Sequence, residues 1–230
     1  MEQNQNIRIA VDAVVFGYKE KQIYILLIKQ KFGPFQGKWA LPGGFVKDGE
    51  GLQDAVLREL KEETGVRTNY LEQLYTFGDQ VNRDPRGQVI SVAHLGLVNP
   101  SKFTLEADTD AETAQWFLLD DIPELAYDHL DILNTGIRRL QSKLHYQPVG
   151  FDLLDKEFPF SDLEALYQSI LQKKIDRRNF RKKILSFGIL HETDKIHQTG
   201  SGRPGKLFTF NETKYKELVE QGIHFEIKFA

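Results

Sequence analysis

Residues 52–64 restrict what this chain can become more than any other stretch. At about 100° per residue, Leu52, Ala55 and Val56 define an inward helical stripe, and Glu59 and Glu63 fall within about 20° of Leu52 on the same stripe. Asp54 and Lys61 sit opposite. A solvated face would place glutamates opposite the leucine, so the ordinary explanation for acidic residues on a helix fails here. Carboxylates directed towards an interior need a cation. Hard divalent ions such as Mg2+ or Mn2+ take oxygen ligands, and Mg2+ typically binds one or two carboxylates together with substrate phosphates. Glu59, Glu62 and Glu63, at i, i+3 and i+4, can present oxygens to one shared site. Arg58 is placed to hold Glu50 or Glu62 from behind. Upstream, Gly43-Gly44 follows Trp39-Ala40-Leu41-Pro42 and permits close backbone approach to a ligand or metal. Gly65 is the expected stop of the helix.

The 230 residues, with 40% apolar and 27% charged side chains, exclude a fibre or a disordered tail and suffice for one large core or two modest ones. No run of eighteen apolar residues suggests a spanning helix, and the start, Met1 to Arg8, is polar and lacks the pattern of a signal peptide. The absence of cysteine excludes disulfides and thiolate metal sites and fits a cytoplasmic protein with no membrane partner.

The net charge of −3 hides a segregation. Between Lys173 and Lys206 ten lysines and arginines face three carboxylates, a surplus of seven, which leaves the rest of the chain at minus ten. An acidic body joined to a basic segment suggests two domains with different partners. The first part reads as α+β. Strands are expected at 7–16 and 22–29, paired across the turn Gly17-Tyr18-Lys19-Glu20-Lys21, and again at 70–78, 89–98 and 113–118, with helices at 52–64 and 131–144. Pro148-Val149-Gly150 reads as the linker, dividing 1–148 from 149–230. Beyond it, Ser161 with Glu164 forms a capping-box pattern ahead of Leu163, Leu166, Tyr167 and Ile170 at helical spacing.

Gly44, Glu50, then Arg58-Glu59-Leu60-Lys61-Glu62-Glu63-Thr64-Gly65-Val66 matches the Nudix box G-x5-E-x7-R-E-U-x-E-E-x-G-U, with U aliphatic, at all nine defined positions. The chain is identified on this stretch as resembling the Nudix hydrolase superfamily. The resemblance implies an α/β/α sandwich with a mixed sheet, and hydrolysis of a nucleoside diphosphate linked to another group. It implies Glu59, Glu62 and Glu63 as catalytic metal ligands, Glu63 foremost, supported by Arg58. In many members a further carboxylate outside the box supplies the base or another ligand. Asp108, Asp110 and Glu112, in a loop before the strand containing Trp116, are the candidates here.

In the basic segment, 176–187 fits a helix with Phe180, Ile184 and Phe187 inward, Arg178, Asn179 and Lys182 on the opposite side, and Arg177 and Arg181 beside them. Such side chains contact phosphates and read base edges in the major groove. Residues 189–196 and 206–210 read as a strand pair around Thr199-Gly200-Ser201-Gly202-Arg203-Pro204-Gly205, a wing with Arg203 at its tip. Helix, basic helix and glycine-rich hairpin resemble a winged helix-turn-helix, which makes Arg177, Arg178, Asn179, Arg181, Lys182 and Arg203 the expected DNA-binding residues.

A Nudix domain followed by a winged helix resembles the Nudix-related transcriptional regulators, whose best-known branch controls NAD metabolism and senses ADP-ribose. Arg83-Asp84-Pro85-Arg86-Gly87, Tyr127-Asp128-His129, Asn179-Phe180-Arg181-Lys182 and Gly202-Arg203-Pro204 are similar to stretches of that family. The resemblance implies a homodimer on a palindromic duplex operator, whose DNA affinity changes when ADP-ribose or a related nucleotide binds the Nudix domain. Gly43, Gly44, Arg83 and Arg86 are the expected ligand contacts. Several such regulators have lost box glutamates, whereas this chain keeps every one, so turnover to AMP and ribose 5-phosphate accompanies sensing in this reading. The alternative is an ADP-ribose pyrophosphatase whose C-terminal domain dimerises. Trp39 and Phe45 are expected in the core, and His129 in a structural or interdomain role, because neighbours in sequence such as Asp128 do not face one another on a helix.

Overall fold

The computed structural model describes residues 6–106, 111–197, 205–222 and 225–230. The chain divides into two compact units, Met1–Lys19 with Tyr24–Arg138 and Glu20–Ile23 with Arg139–Ala230. No helix among the described residues is long and apolar enough to cross a membrane.

The first unit is built on a seven-stranded mixed sheet in the order β3(Trp39–Ala40), β2(Gln22–Gln30), β1(Arg8–Lys19), β6(Val89–Val98), β5(Tyr70–Phe77). β1 runs parallel to β6, and β4(Gly43–Phe45) and β7(Ala111–Leu118) add antiparallel to β1 and β2. The centre of β1 is buried on both faces, as its near-continuous apolar run requires. Alternation sends Val11, Ala13 and Val15 to the side of α1(Leu52–Thr64), where they pack with Ala55, Val56 and Leu60. Val14 faces the other helix, α2(His129–Lys143), so closely that a Cβ on Gly136 would lie 2.8 Å from its Cγ1. The result is the α/β/α layering that the Nudix resemblance implies. Gly65 ends α1 in the left-handed region at φ 72°, its N–H donating to the Lys61 carbonyl.

The first hairpin differs from expectation. β1 continues through Gly17 and Tyr18 to Lys19, and the reversal is confined to Glu20 and Lys21 at φ 52° and 62°. Gly17 is a packing glycine, because a Cβ there would meet the Pro100 ring at 2.5 Å.

The second unit contains α3(Phe160–Leu171) and α4(Arg177–Ser186), then the antiparallel pair β9(Leu190–His197) and β10(Gly205–Phe210), with β8(Phe158–Pro159) on the outer edge of β10. Leu163, Leu166, Tyr167 and Ile170 bury the α3 stripe among Phe180 and Ile184 of α4. The capping box is absent: Pro159 precedes the first turn, Ser161 lies inside it, and Glu164 is buried against Arg177 at 2.8 Å. Pro148-Val149-Gly150, expected as a linker, is buried, with the Val149 carbonyl accepting from the Tyr167 hydroxyl at 3.1 Å. An unforeseen helix, α5(Glu212–Glu220), follows β10 and is capped by the Asn211 side chain.

Candidate functional site

The first unit holds a cavity of about 400 Å³ whose wall includes Asp12 of β1, Gly43, Gly44 and Phe45 of β4, and Glu59 and Glu63 of α1. The 78–88 loop adds Arg83, Asp84 and Arg86, and the entry to α2 adds Tyr127 and His129.

The carboxylate wall is organised by Arg58. Its Nε and Nη2 grip both oxygens of Glu50 at 2.6 and 2.8 Å, Nη1 donates to Glu59 at 2.6 Å and Glu62 at 3.3 Å, and Nη2 also reaches the Phe45 carbonyl. Forked charge-assisted bonds of this kind fix rotamers as well as charge. The Arg58 bond holds the Glu50 carboxyl down to about 2. Burial pushes the Glu59 carboxyl upward, and Arg58 offsets this only in part, so Glu59 still favours an added positive charge. Glu63, 3% exposed, accepts from the Gly43 N–H at 2.8 Å. Close approach explains the glycines: a Cβ on Gly44 would stand 2.4 Å from Glu59 Oε1, and one on Gly43 2.2 Å from the Val11 carbonyl.

Glu59 and Glu63 therefore line the cavity together, one helical turn apart. Glu62, about 100° from Glu63 around the helix, is more exposed, pairs with Arg58, and is not part of the wall. Among the described residues no three acidic or histidine groups converge as a closed metal cage. Two carboxylates with backbone packed against them fit a hard divalent ion that retains waters and shares substrate oxygens. Of the carboxylates expected outside the box, Asp108 and Asp110 lie outside the described residues, and Glu112 pairs with Lys29 at 3.3 Å away from the cavity wall.

The two expected ligand arginines differ. Arg83, with its side chain 5% exposed, spends its fork on Asp128, Nε donating at 2.8 Å. Arg86 is half open, paired with Asp84 at 2.7 Å, and its guanidinium lies 4.8 Å from the Phe45 ring centre and 5.3 Å from that of Tyr127. Phe45, expected in the core, carries Arg8 as well, and Trp39, also expected there, is half-buried and meets the Phe117 ring edge-on.

Sequence reasoning missed Asp12, Asp84 and Tyr127 and gave His129 a structural or interdomain role rather than a place in the cavity wall. Asp12 was detectable as the one carboxylate inside an apolar strand. It accepts from the Ser91 hydroxyl, and its Oδ1 lies 3.4 Å from His129 Nε2. The Leu41 N–H donates to His129 Nδ1 at 2.9 Å, so a neutral ring carries its proton on Nε2, facing Asp12. Burial depresses the His129 pKa and keeps the ring neutral. Asp128, its neighbour in sequence, serves Arg83 instead.

On the second unit, Arg178, Arg181 and Lys182 are exposed along α4. Arg181 lies 4.5 Å from the Phe160 ring centre. Arg177 is tied to Glu164 at 2.8 Å, and the Asn179 amide donates to the cap residue Asp176 at 2.5 Å. Arg203 and the rest of the wing tip lie outside the described residues.

A mixed sheet between helices, with a glycine-backed carboxylate helix on its cavity, together with a winged pair of helices, defines a Nudix protein with a DNA-binding appendage. The chain belongs to the Nudix family: residues 6–135 match the NUDIX domain and residues 150–210 the NrtR DNA-binding winged helix domain. It is 32% identical over 224 residues, 94% of this chain and 88% of the relative, to the ADPR responsive transcriptional repressor NtrR of Acinetobacter baylyi. It is 44% identical over 132 residues, 56% of this chain and 73% of the relative, to the ADP-ribose pyrophosphatase of Methanocaldococcus jannaschii. Shewanella oneidensis NrtR complexed with a 27mer DNA superposes with a TM-score of 0.80 at 29% identity, covering 96% of this chain and 99% of that one. The NUDIX domain of the same relative complexed with ADP ribose gives 0.56 at 35% identity, covering 59% and 90%. Homologues of this family generally use a divalent metal.

Proposed function

We propose that this chain is a DNA-binding transcriptional regulator whose Nudix domain takes ADP-ribose, or a closely related nucleotide, and hydrolyses it to AMP and ribose 5-phosphate with Mg2+ or Mn2+. The observation that carries the reading is the intact carboxylate wall, Glu59 and Glu63 held by Arg58 and backed by Gly43-Gly44, in one chain with a basic winged helix. ADP-ribose is favoured because the relatives of both kinds, repressor and pyrophosphatase, carry it in their names. Along the sequence the functional domains are taken as 1–148 and 149–230, a boundary ten residues beyond the Arg138 end of the first compact unit, and the working form on a palindromic site is a homodimer, since a two-fold operator needs a two-fold protein.

Glu59 and Glu63 would hold the metal, with Glu62 and Arg58 setting their charge and rotamers. A divalent ion there supplies charge neutralisation on pyrophosphate oxygens. Arg86, stacked and half open, is placed to orient a phosphate, and Gly43-Gly44 let the substrate approach the backbone. Water adds to one phosphorus, the bridging oxygen departs with the other phosphate, and the proton lost by water passes to solvent or to a cavity carboxylate. On α4, Arg178, Arg181 and Lys182 meet the duplex, with Arg177, Asn179 and Arg203 completing the DNA-binding set.

The test has two arms. With Mg2+ and ADP-ribose, chromatography detects AMP from the wild type, and Glu63→Gln lowers the rate by at least about a hundredfold, the scale of losing a principal electrostatic group. In parallel, duplexes selected from a random pool bind in a salt-sensitive way, ADP-ribose weakens them several-fold, and Arg178→Ala/Lys182→Ala abolishes binding. Turnover with equal affinity for every duplex, unchanged by ligand, leaves a hydrolase and overturns the regulator.

A further inference from the structure

The stretch Phe225–Ala230 lies beyond the segment that matches the winged-helix family, yet it is built into the same unit as α3 and α4. It runs antiparallel to the approach to α4: the Asp176 N–H donates to the Lys228 carbonyl at 2.9 Å, the Ala230 N–H donates to the Lys174 carbonyl at 3.1 Å, and Ile175 bridges Phe229. Side chains alternate as an extended segment requires. Phe225 and Ile227 are buried, the former near the rings of Tyr167 and Phe187, while Glu226 and Lys228 stand on the open side.

There Glu226 and Lys228 join one flank of α4, including Lys182, Lys183 and Ser186, around a cavity of about 250 Å³. Three lysines against one glutamate leave a surplus of two positive charges in that space. Among the described residues neither Lys182 nor Lys228 has an ion-pair partner, and the Lys183 ammonium rests 5.1 Å from the Phe187 ring centre. A helix lying in a major groove roughly 12 Å wide turns its outer side to base edges and its flanks to the two rows of phosphates. Arg178 occupies the outer side of α4, and the cavity marks one flank.

We propose that Lys183 and Lys228, brought together by docking of the closing strand beside α4, bind backbone phosphates of duplex DNA at the groove edge. This rests on reading the second unit as a DNA-binding domain. Phosphate contacts of this type add affinity and register without reading sequence. Glu226 tempers the site and sets how much charge it offers.

The test is the salt dependence of binding to two duplexes of about thirty base pairs, one selected from a random pool and one of mixed sequence. Lys183→Gln/Lys228→Gln is expected to weaken both alike, leaving their affinity ratio unchanged, and to make the slope of log affinity against log salt shallower by about 2, roughly 1 per lysine. Glu226→Gln strengthens both duplexes, Lys183→Arg/Lys228→Arg keeps the wild-type slope, and ADP-ribose hydrolysis is unaltered in all variants. A wild-type slope in the glutamine variant overturns the proposal. A site for free anion is separated by a thermal-shift titration with inorganic phosphate: stabilisation lost in the glutamine variant while the DNA slope stays fixed also overturns it. Wild type that binds duplex without preference overturns the regulator alone, and the slope still decides the lysines. Wild type that binds no duplex at any salt overturns both.

Discussion

His129 shows why part of the site was legible and part was not. The box residues announce themselves by spacing along one helix, where geometry is fixed at about 100° per residue. Asp12 and His129 are 117 positions apart and meet only because β1 and the start of α2 converge on the cavity. A separation of 88 positions likewise hides the Leu41 N–H that fixes the imidazole tautomer. Burial lowers the His129 pKa below its ordinary value near 6.5. The unfolded chain therefore binds this proton more readily than the folded one. The stabilising contribution is complete above about pH 6.5 and is lost as the pH falls through the depressed folded value. Urea unfolding between about pH 7.5 and pH 5 is expected to show a steeper loss of stability in the wild type than in His129→Gln, which cannot titrate. Both tryptophans, Trp39 and Trp116, belong to the first unit and report its unfolding. Parallel pH profiles for the two proteins would remove the buried neutral imidazole from the account.

Elements were more readable than their ends. The α1 range follows from its stripe and from Gly65, and β6 from an apolar run too continuous for an exposed strand. Two local patterns misled for physical reasons. Ser161 and Glu164 have the spacing of a capping box, but Pro159 precedes the helix directly and Glu164 is drawn to Arg177, so the tertiary ion pair overrides the local one. Gly17 reads as a turn residue, but the close approach of Pro100 needs a glycine inside the strand, which moves the reversal to Glu20 and Lys21. Two successive left-handed residues between antiparallel strands are the geometry that Asn-Gly adopts with least strain. Glu20→Asn/Lys21→Gly is therefore expected to stabilise the protein by about 1 kcal/mol, most of it from relieving Cβ strain at Lys21, set against the extra flexibility glycine gives the unfolded chain. The midpoint in urea should rise with the slope unchanged. A lower midpoint would mean that the Glu20 and Lys21 side chains contribute more than their backbone strain costs.

At the scale of the whole molecule, the proposed function sets an intact carboxylate wall and a basic winged helix in one chain, so that binding, turnover and release would be coupled as neither domain could couple them alone. If ADP-ribose weakens DNA binding by some factor, operator DNA must weaken ADP-ribose binding by the same factor, because the coupling free energy is shared. A sensor that also hydrolyses its effector adds time dependence. Adding a fixed pulse of ADP-ribose with Mg2+ to the wild type on labelled operator is expected to release the DNA and then let it rebind as AMP accumulates, with recovery time proportional to the dose and inverse to the protein concentration. In Glu63→Gln the released state should persist if Glu63 serves hydrolysis as proposed, since Arg86, Phe45 and the glycine backbone of the cavity wall are left unchanged. Fluorescence anisotropy of the operator follows both traces in the same cuvette. Persistent release in the wild type would show a sensor without turnover. Release that recovers equally in both proteins would place hydrolysis elsewhere than the Glu63 wall.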